Sequence, residues 1–441
     1  MCLIFIYKRN KVVSLMVMVC ISITVMYNPH QIYIALHKFT VFTLTHQDNR
    51  MKKTLIAATL LSLFASHYAT ASDETTELRQ IIEQQQKVLK DLEKRLEQTE
   101  QRVETTADVV ESTASSKSAT TIGGYGELHY NNITDNKTGN DKKEFDFHRF
   151  VLFVGHEFNN TTRFFSELEV EHSIAGEGKK GEVELEQAYI EHDFNDMLTG
   201  KAGLFLMPVG IINETHEPDT FYGVERNPVE KDIIPATWWE GGLTLNVKAA
   251  PGLAFDTAVT SGLYLDQSSG YKIRNGRQKV SEAKGEDLAY TGRVKYTAVP
   301  GLELAATVQY QSDLTQGEAG VDTASATLVT AHAIYSIENF TVKALFAQWD
   351  IDGQEAEALG RDKHNGFYIE PAYRINDQFG VFARYNEWDN NAGDSADTKK
   401  KQTNVGVNYW LHENVVFKAD FEKISGAADS DGFNLGVGYQ F

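Results

Sequence analysis

From Ile122 to Phe441 apolar and polar positions alternate, and no helical period interrupts them. The last ten residues, "GFNLGVGYQF", show the pattern in small. Phe433, Leu435, Val437, Tyr439 and Phe441 share one parity, and Asn434, Gly436, Gly438 and Gln440 share the other. Alternate side chains of a strand point to opposite faces, so this stretch has one apolar wall and one small, polar wall. Val405, Val407, Tyr409 and Leu411 alternate with Asn404, Gly406, Asn408 and Trp410 in the same way, and Phe417, Ala419 and Phe421 with Lys418, Asp420 and Glu422. The pattern predicts 16 strands, at about 122–131, 144–158, 161–172, 182–194, 198–206, 236–249, 253–262, 286–298, 301–312, 323–337, 339–349, 366–375, 378–388, 401–412, 414–424 and 432–441.

The connections alternate in length. Short turns such as Asn195-Asp196, Glu338 and Glu413 are followed by long polar stretches such as "NITDNKTGNDKK" and "DQSSGYKIRNGRQKVSEAKG". Soluble sandwiches give no reason for this rhythm, whereas bacterial outer-membrane barrels have short periplasmic turns and longer external loops. The predicted strands average about 11 residues, the length of a tilted bilayer-spanning strand. The expected fold is therefore an all-β membrane protein, a 16-stranded antiparallel transmembrane β-barrel over 122–441. The terminal Phe441 then completes the last lipid-facing strand.

The first 121 residues read differently. "MKKTLIAATLLSLFASHYATAS" from Met51 has a basic start, an apolar run and the small-residue box Ala69-Thr70-Ala71, so 51–71 is an expected signal peptide. Residues 1–50 are then expected to be an upstream extension foreign to the native product. The competing reading, Val12–Tyr27 as a membrane anchor, would make two export signals in series. Residues 72–112 lack Gly, Pro and aromatics and carry a heptad seam at Ile82, Leu89, Leu96, Val103 and Val110. A second seam, Leu78, Gln85, Leu92, Thr99 and Thr106, is partly polar. This predicts a short coiled-coil helix, placed in the periplasm by the even strand count, that self-associates to bury its stripe. A polar linker, 113–121, follows.

The chain is acidic, with 42 Lys+Arg against 61 Asp+Glu and a net charge of −19. Its two cysteines, Cys2 and Cys20, both lie in the upstream extension, so disulfides are not expected to stabilise the mature chain. No enzymatic signature survives inspection. His156-Glu157, His216-Glu217 and His412-Glu413 lack a second histidine at zinc-helix spacing, and there is no Gly-x-Ser-x-Gly elbow or phosphate-cradling glycine loop. Asp350-Ile-Asp-Gly353 falls short of a calcium loop. Neither a metal nor a cofactor is expected, nor nucleic acid as a partner.

Four stretches carry a family resemblance: Glu186-Gln-Ala-Tyr-Ile-Glu191, Gly203-Leu-Phe-Leu-Met-Pro-Val-Gly210, the pair Glu225-Arg226, and Gly241-Gly242. In this order and spacing they resemble the phosphate-selective porin O and P family, best over 144–250. The resemblance implies a homotrimeric outer-membrane channel, surrounded by lipid and lipopolysaccharide, that passes small hydrophilic solutes or ions, phosphate among them. It also implies that the connection Pro208–Pro235 folds inward and narrows the pore. The constriction candidates are then Glu214, Glu217, Asp219, Glu225, Arg226, Glu230, Lys231 and Asp232. Strand parity adds wall candidates: acidic Glu167, Glu169, Glu171, Glu184 and Glu186, and basic Arg293, Lys295, Lys343, Arg374 and Arg384. The charge balance pulls against phosphate. From Thr120 onward 28 basic residues face 49 acidic ones, and the inward connection has six acids to two bases. An acidic pore attracts cations, so the residues favour a weakly cation-preferring or unselective channel. The alternative expectation is structural, a barrel tethering its coiled coil toward the cell wall.

Overall fold

The computed structural model describes residues 2–9, 13–28, 31–44, 119–266 and 268–441. The expected signal peptide, the coiled coil and most of the linker lie outside the described residues. The chain divides into two units, Met1–Val109 and Val110–Phe441. In the first, Cys2–Arg9, Val13–Asn28 and Gln31–Leu44 form an antiparallel three-stranded meander.

The second unit is a closed barrel of 16 antiparallel strands. In chain order they are β1 (Thr120–Asp135), β2 (Lys142–Asn159), β3 (Thr162–Glu171), β4 (Val183–Asn195), β5 (Leu198–Leu206), β6 (Trp239–Ala250), β7 (Leu253–Thr260) and β8 (Ala289–Tyr296). Then follow β9 (Leu302–Gln311), β10 (Ser325–Ile337), β11 (Phe340–Asp352), β12 (Lys363–Arg374), β13 (Phe379–Asp389), β14 (Lys400–His412), β15 (Val415–Gly426) and β16 (Ser430–Gln440). Each strand pairs with its sequence neighbours, and β16 closes on β1 from Ser430↔Asp135 to Gln440↔Tyr125. The backbones of Phe441 and Gly124 exchange two further hydrogen bonds, both 2.9 Å. Closure pairs every edge, which is what an all-β span in hydrocarbon requires.

The two faces of each strand part as the alternation predicts. Leu243, Leu245, Val308, Phe346, Ile369, Val405, Phe421 and Leu435 stand exposed on the outer wall. Phe158, Phe194, Phe340, Tyr373 and Phe379 mark its rim at the short-turn end, and Phe145, Tyr290, Tyr310 and Phe433 lie toward the other end. Such an apolar belt between aromatic girdles faces lipid.

The inner wall is not uniform. Along β14, β15, β16 and β1–β4 it is polar, with Asn404, Asn408, Lys418, Asp420, Glu422, Asn434, Glu127, Arg149, Glu167 and Glu169 buried. From β7 to β13 buried polar groups such as Asp256, Arg293, Glu370 and Arg384 continue, and an apolar cluster is added inside. Leu263, Leu265, Tyr271 and Ile273 pack there with Leu328, Trp349, Tyr368 and Trp388, together with Val229, Ile233, Ile234 and Trp238 from the longest connection.

Candidate functional site

That longest connection, 207–238, folds into the barrel, as the resemblance implies. Its neck is tied by one side chain. Asn213 Nδ2 donates to the carbonyls of Met207 (2.8 Å) and Trp238 (2.9 Å), while its Oδ1 accepts from the Trp238 amide (2.7 Å). A second knot forms around Glu230, which is fully buried. Its carboxylate accepts from the amides of Ile211 (2.8 Å) and Ile212 (2.6 Å) and from the Tyr368 hydroxyl (2.7 Å). A buried carboxylate is tolerated when its lone pairs are met in this way. Glu230 therefore shapes the segment and is turned away from open space, unlike the pore-lining role expected of it.

The segment then meets the polar wall. His216 Nε2 lies 3.2 Å from Glu167 and 3.6 Å from Glu186. Burial works against a charged imidazole, but Glu167 and Glu186 outweigh it and raise the His216 pKa to about 10. Glu225 approaches β1, 3.2 Å from His129 Nδ1 and 3.0 Å from the Asn131 amide nitrogen. Burial raises its pKa, yet the hydrogen bond and charge of His129 hold it well below the usual carboxylate range. Arg384 donates to the carbonyls of Tyr222 (3.2 Å) and Glu225 (3.3 Å) and to Glu370 (3.0 Å). The Val224 amide donates to Asp420 at 2.8 Å, and Lys418 sits over the Phe221 ring, 3.6 Å from its centre. The glycines of β16 explain themselves here. A Cβ on Gly438 would lie 2.3 Å from Pro218, and one on Gly436 would lie 3.0 Å from Val224. The small wall is small because the segment presses against it.

Open space lies on both sides of the segment. A cavity of about 940 Å³ at the short-turn end is lined by Glu214, Glu217, Asp256 and Arg293, together with Arg163, Glu191, Asp193 and Lys201. Its lining holds six acidic residues (Glu191, Asp193, Asp196, Glu214, Glu217, Asp256) and four basic ones (Arg163, Lys201, Lys248, Arg293). A cavity of about 280 Å³ toward the long connections is lined by five acids (Glu127, Glu144, Asp146, Glu171, Glu225) and five bases (Lys142, Arg149, Arg226, Lys231, Arg274).

The predicted residues thus divide. Glu214 and Glu217 face the larger cavity and Glu225, Arg226 and Lys231 the smaller. Asp219 and Asp232 are half-buried, and the Asp232 carbonyl accepts from Asn390 at 3.1 Å. Arg226 donates to Thr237 (2.7 Å), while its Nε and Nη2 are buried without a hydrogen-bond partner. On the wall, Glu169 pairs with Arg149 (3.2 Å), Glu184 with Lys279, and Glu171 lines the smaller cavity. Arg293 is held by Asp256 (2.7 Å) and by Glu214, and Lys295 by Glu303 (3.1 Å). Lys343 stands in register with Glu370. Arg374 instead closes a short turn, donating to the Asp377 carbonyl at 2.7 Å and covering the Trp410 ring.

Glu127, His129 and Arg149 stand outside the expected set, although the alternation of Glu127, His129 and Asn131 with Leu128 and Tyr130 marks the first two as wall positions. Arg274 and Arg277 had no such signal. They sit in an aperiodic connection and donate to the carbonyls of Ala236 (2.6 Å) and Thr237. Burial, followed by the nearby charges of Arg277 and Arg226, lowers the Arg274 pKa to about 9.

A profile of the Gram-negative porins matches residues 105–429. An uncharacterized protein of Aquifex aeolicus (strain VF5) is 28% identical over 357 residues, spanning 74% of this chain and 80% of its own. Among solved structures, an anion-selective porin from Comamonas acidovorans is 12% identical with a TM-score of 0.53, over 73% of this chain and 99% of its own. OmpF of Salmonella typhi, in complex with daunomycin, gives 14% and 0.51, over 73% and 97%. OprB of Pseudomonas putida gives 12% and 0.51, over 73% and 94%. At these identities the structural likeness speaks for the fold alone.

Proposed function

Because the chain belongs to the Gram-negative porin family, and is an outer-membrane channel for passive diffusion of solutes rather than an enzyme, we propose that it passes small hydrophilic solutes and ions with little charge selectivity, leaning toward cations. The observation that carries this reading is the pairing of charge along the inward segment. Glu214 is held by Arg293, Glu225 by His129, and Glu230 by amides and a hydroxyl. Counted whole, these pairs included, the acids and bases of the lining are equal in the smaller cavity, and acids lead by two in the larger. Such a field sorts ions weakly.

A phosphate-selective pore, the narrower reading, asks for clustered Arg and Lys donors that replace water around the anion. Arg226, Lys231 and Arg274 do share one cavity, but five acids share it with them. Arg293 and Lys295 lie elsewhere and are claimed by carboxylates. The reversal potential across a planar bilayer in a potassium chloride gradient decides the matter. We expect a small potential of the sign set by cations. A strongly anion-selective potential, with chloride current blocked by low phosphate, would overturn the proposal.

The same proposal extends to assembly. The apolar belt supports a lipid and lipopolysaccharide surround, and the heptads of 72–112 support a homotrimer with its coiled coil in the periplasm.

A further inference from the structure

Two histidines, one on β2 and one just past β3, aim the same ring nitrogen at one carboxylate beside the smaller cavity. His148 Nδ1 lies 3.0 Å from Asp146 Oδ2, and His172 Nδ1 lies 2.8 Å from Oδ1 and 2.9 Å from Oδ2 of the same group. Asp146 and His148 sit on one face of β2, and His172 follows the last residue of β3. At His172 the backbone turns to φ 52°, a left-handed conformation that histidine adopts more readily than most residues. The three ligand atoms lie within 4.8 Å of one another, and all three side chains line the cavity.

We propose that Asp146, His148 and His172 form a binding site for a divalent first-row transition ion such as zinc, nickel or copper. Imidazole–metal bonds run about 2.0–2.1 Å and carboxylate–metal bonds about the same, so adjacent ligand atoms around such an ion stand about 3 Å apart. Both imidazole–carboxylate separations already have that value, and the two nitrogens lie within 4.8 Å of each other. Two imidazoles and one carboxylate suit these ions rather than calcium or magnesium, which take oxygen. The cavity leaves the other coordination positions open to water and provides a way in.

The ring orientation is fixed from behind, as metal sites require. His148 stacks on His129 with centroids 4.7 Å apart and planes at 14°. His129 is in turn held between Glu127 and Glu225, 3.2 Å from each. Glu225 belongs to the inward segment, so an ion at this site would add its charge next to that segment. Two other clusters of ligand-type residues are already satisfied by cations of the protein. His216 fills the Glu167–Glu186 pair, and Lys279 lies against Glu182 and Glu184.

The test uses the protein extracted from outer membranes into detergent, titrated with zinc chloride by calorimetry at neutral pH. We expect one ion per chain, bound at least about tenfold more weakly by His172→Ala and by Asp146→Asn, since even outer-shell losses cost about 10–100-fold. Unheated gel mobility checks that both variants are folded. Cobalt(II) added to the wild-type protein provides a readout independent of the variants, with visible d–d bands that zinc displaces. Equal zinc affinity in wild type and both folded variants, or no d–d bands in the wild type, would overturn the site.

Discussion

A single imidazole holds the inward segment to the acidic side of the wall. His216 stands between Glu167 and Glu186 with about 3% of its side chain exposed. Removing the cation from a buried pair costs about 3–5 kcal/mol, because the carboxylates are left uncompensated. His216→Ala should therefore loosen the segment, and single-channel recordings should show larger, noisier steps than wild type. The pH dependence follows from the raised pKa. A group lifted from 6.5 to about 10 contributes fully below 6.5 and loses its contribution as pH climbs through about 10. Steps should stay quiet through neutrality and become noisy only in alkali; noise that sets in between pH 6 and 7 would refute this role for His216. At the same scale, Gly438→Val should leave the outer wall intact yet push Pro218 away, with the same electrical signature.

Strands and connections differed in how much of them the sequence disclosed. All 16 strands were legible, since period-2 alternation is local and each segment ended at a recognisable turn. The inward segment was legible only through resemblance. Its fold depends on contacts such as Tyr368 with Glu230, separated by 138 residues, which no local pattern encodes. Glu230 shows the consequence. By charge it resembled Glu214 and Glu217, but three donors pull it out of the lining. Glu230→Ala should orphan two amides and a hydroxyl, at about 1–3 kcal/mol each. A drop in thermal stability measured by circular dichroism, with strand content unchanged at low temperature, is the expected result. The last strand makes a different demand. Phe441 keeps its two backbone bonds to Gly124 whatever its side chain, so Phe441→Asp should spare the finished channel. It should still lower the folded fraction recovered from outer membranes severalfold, because a charge replaces an aromatic at the lipid interface. Wild-type recovery would refute that.

For the molecule as a whole, the 16 described strands close the barrel through their own pairing. Deleting 72–112 should then leave the barrel inserted while weakening a trimer. Unchanged heat resistance of the oligomer on gels would show that the heptads contribute nothing to it. The division of the interior also bears on how the wall comes apart. From β7 to β13 it is buttressed from within by Trp349, Tyr368, Trp388 and their neighbours, whereas the closing seam between β16 and β1 is backed by Asn434, Glu127 and a net of charges. Heat weakens the two halves unequally, whereas salt reaches both, through Arg149–Glu169 beside the seam and Arg293–Asp256 and Arg384–Glu370 in the buttressed half. The barrel therefore has a stiff half and a compliant half, with its only joint between first and last strands in the compliant one. Amide exchange should spread from that joint in both directions, as a hoop opens at its weld.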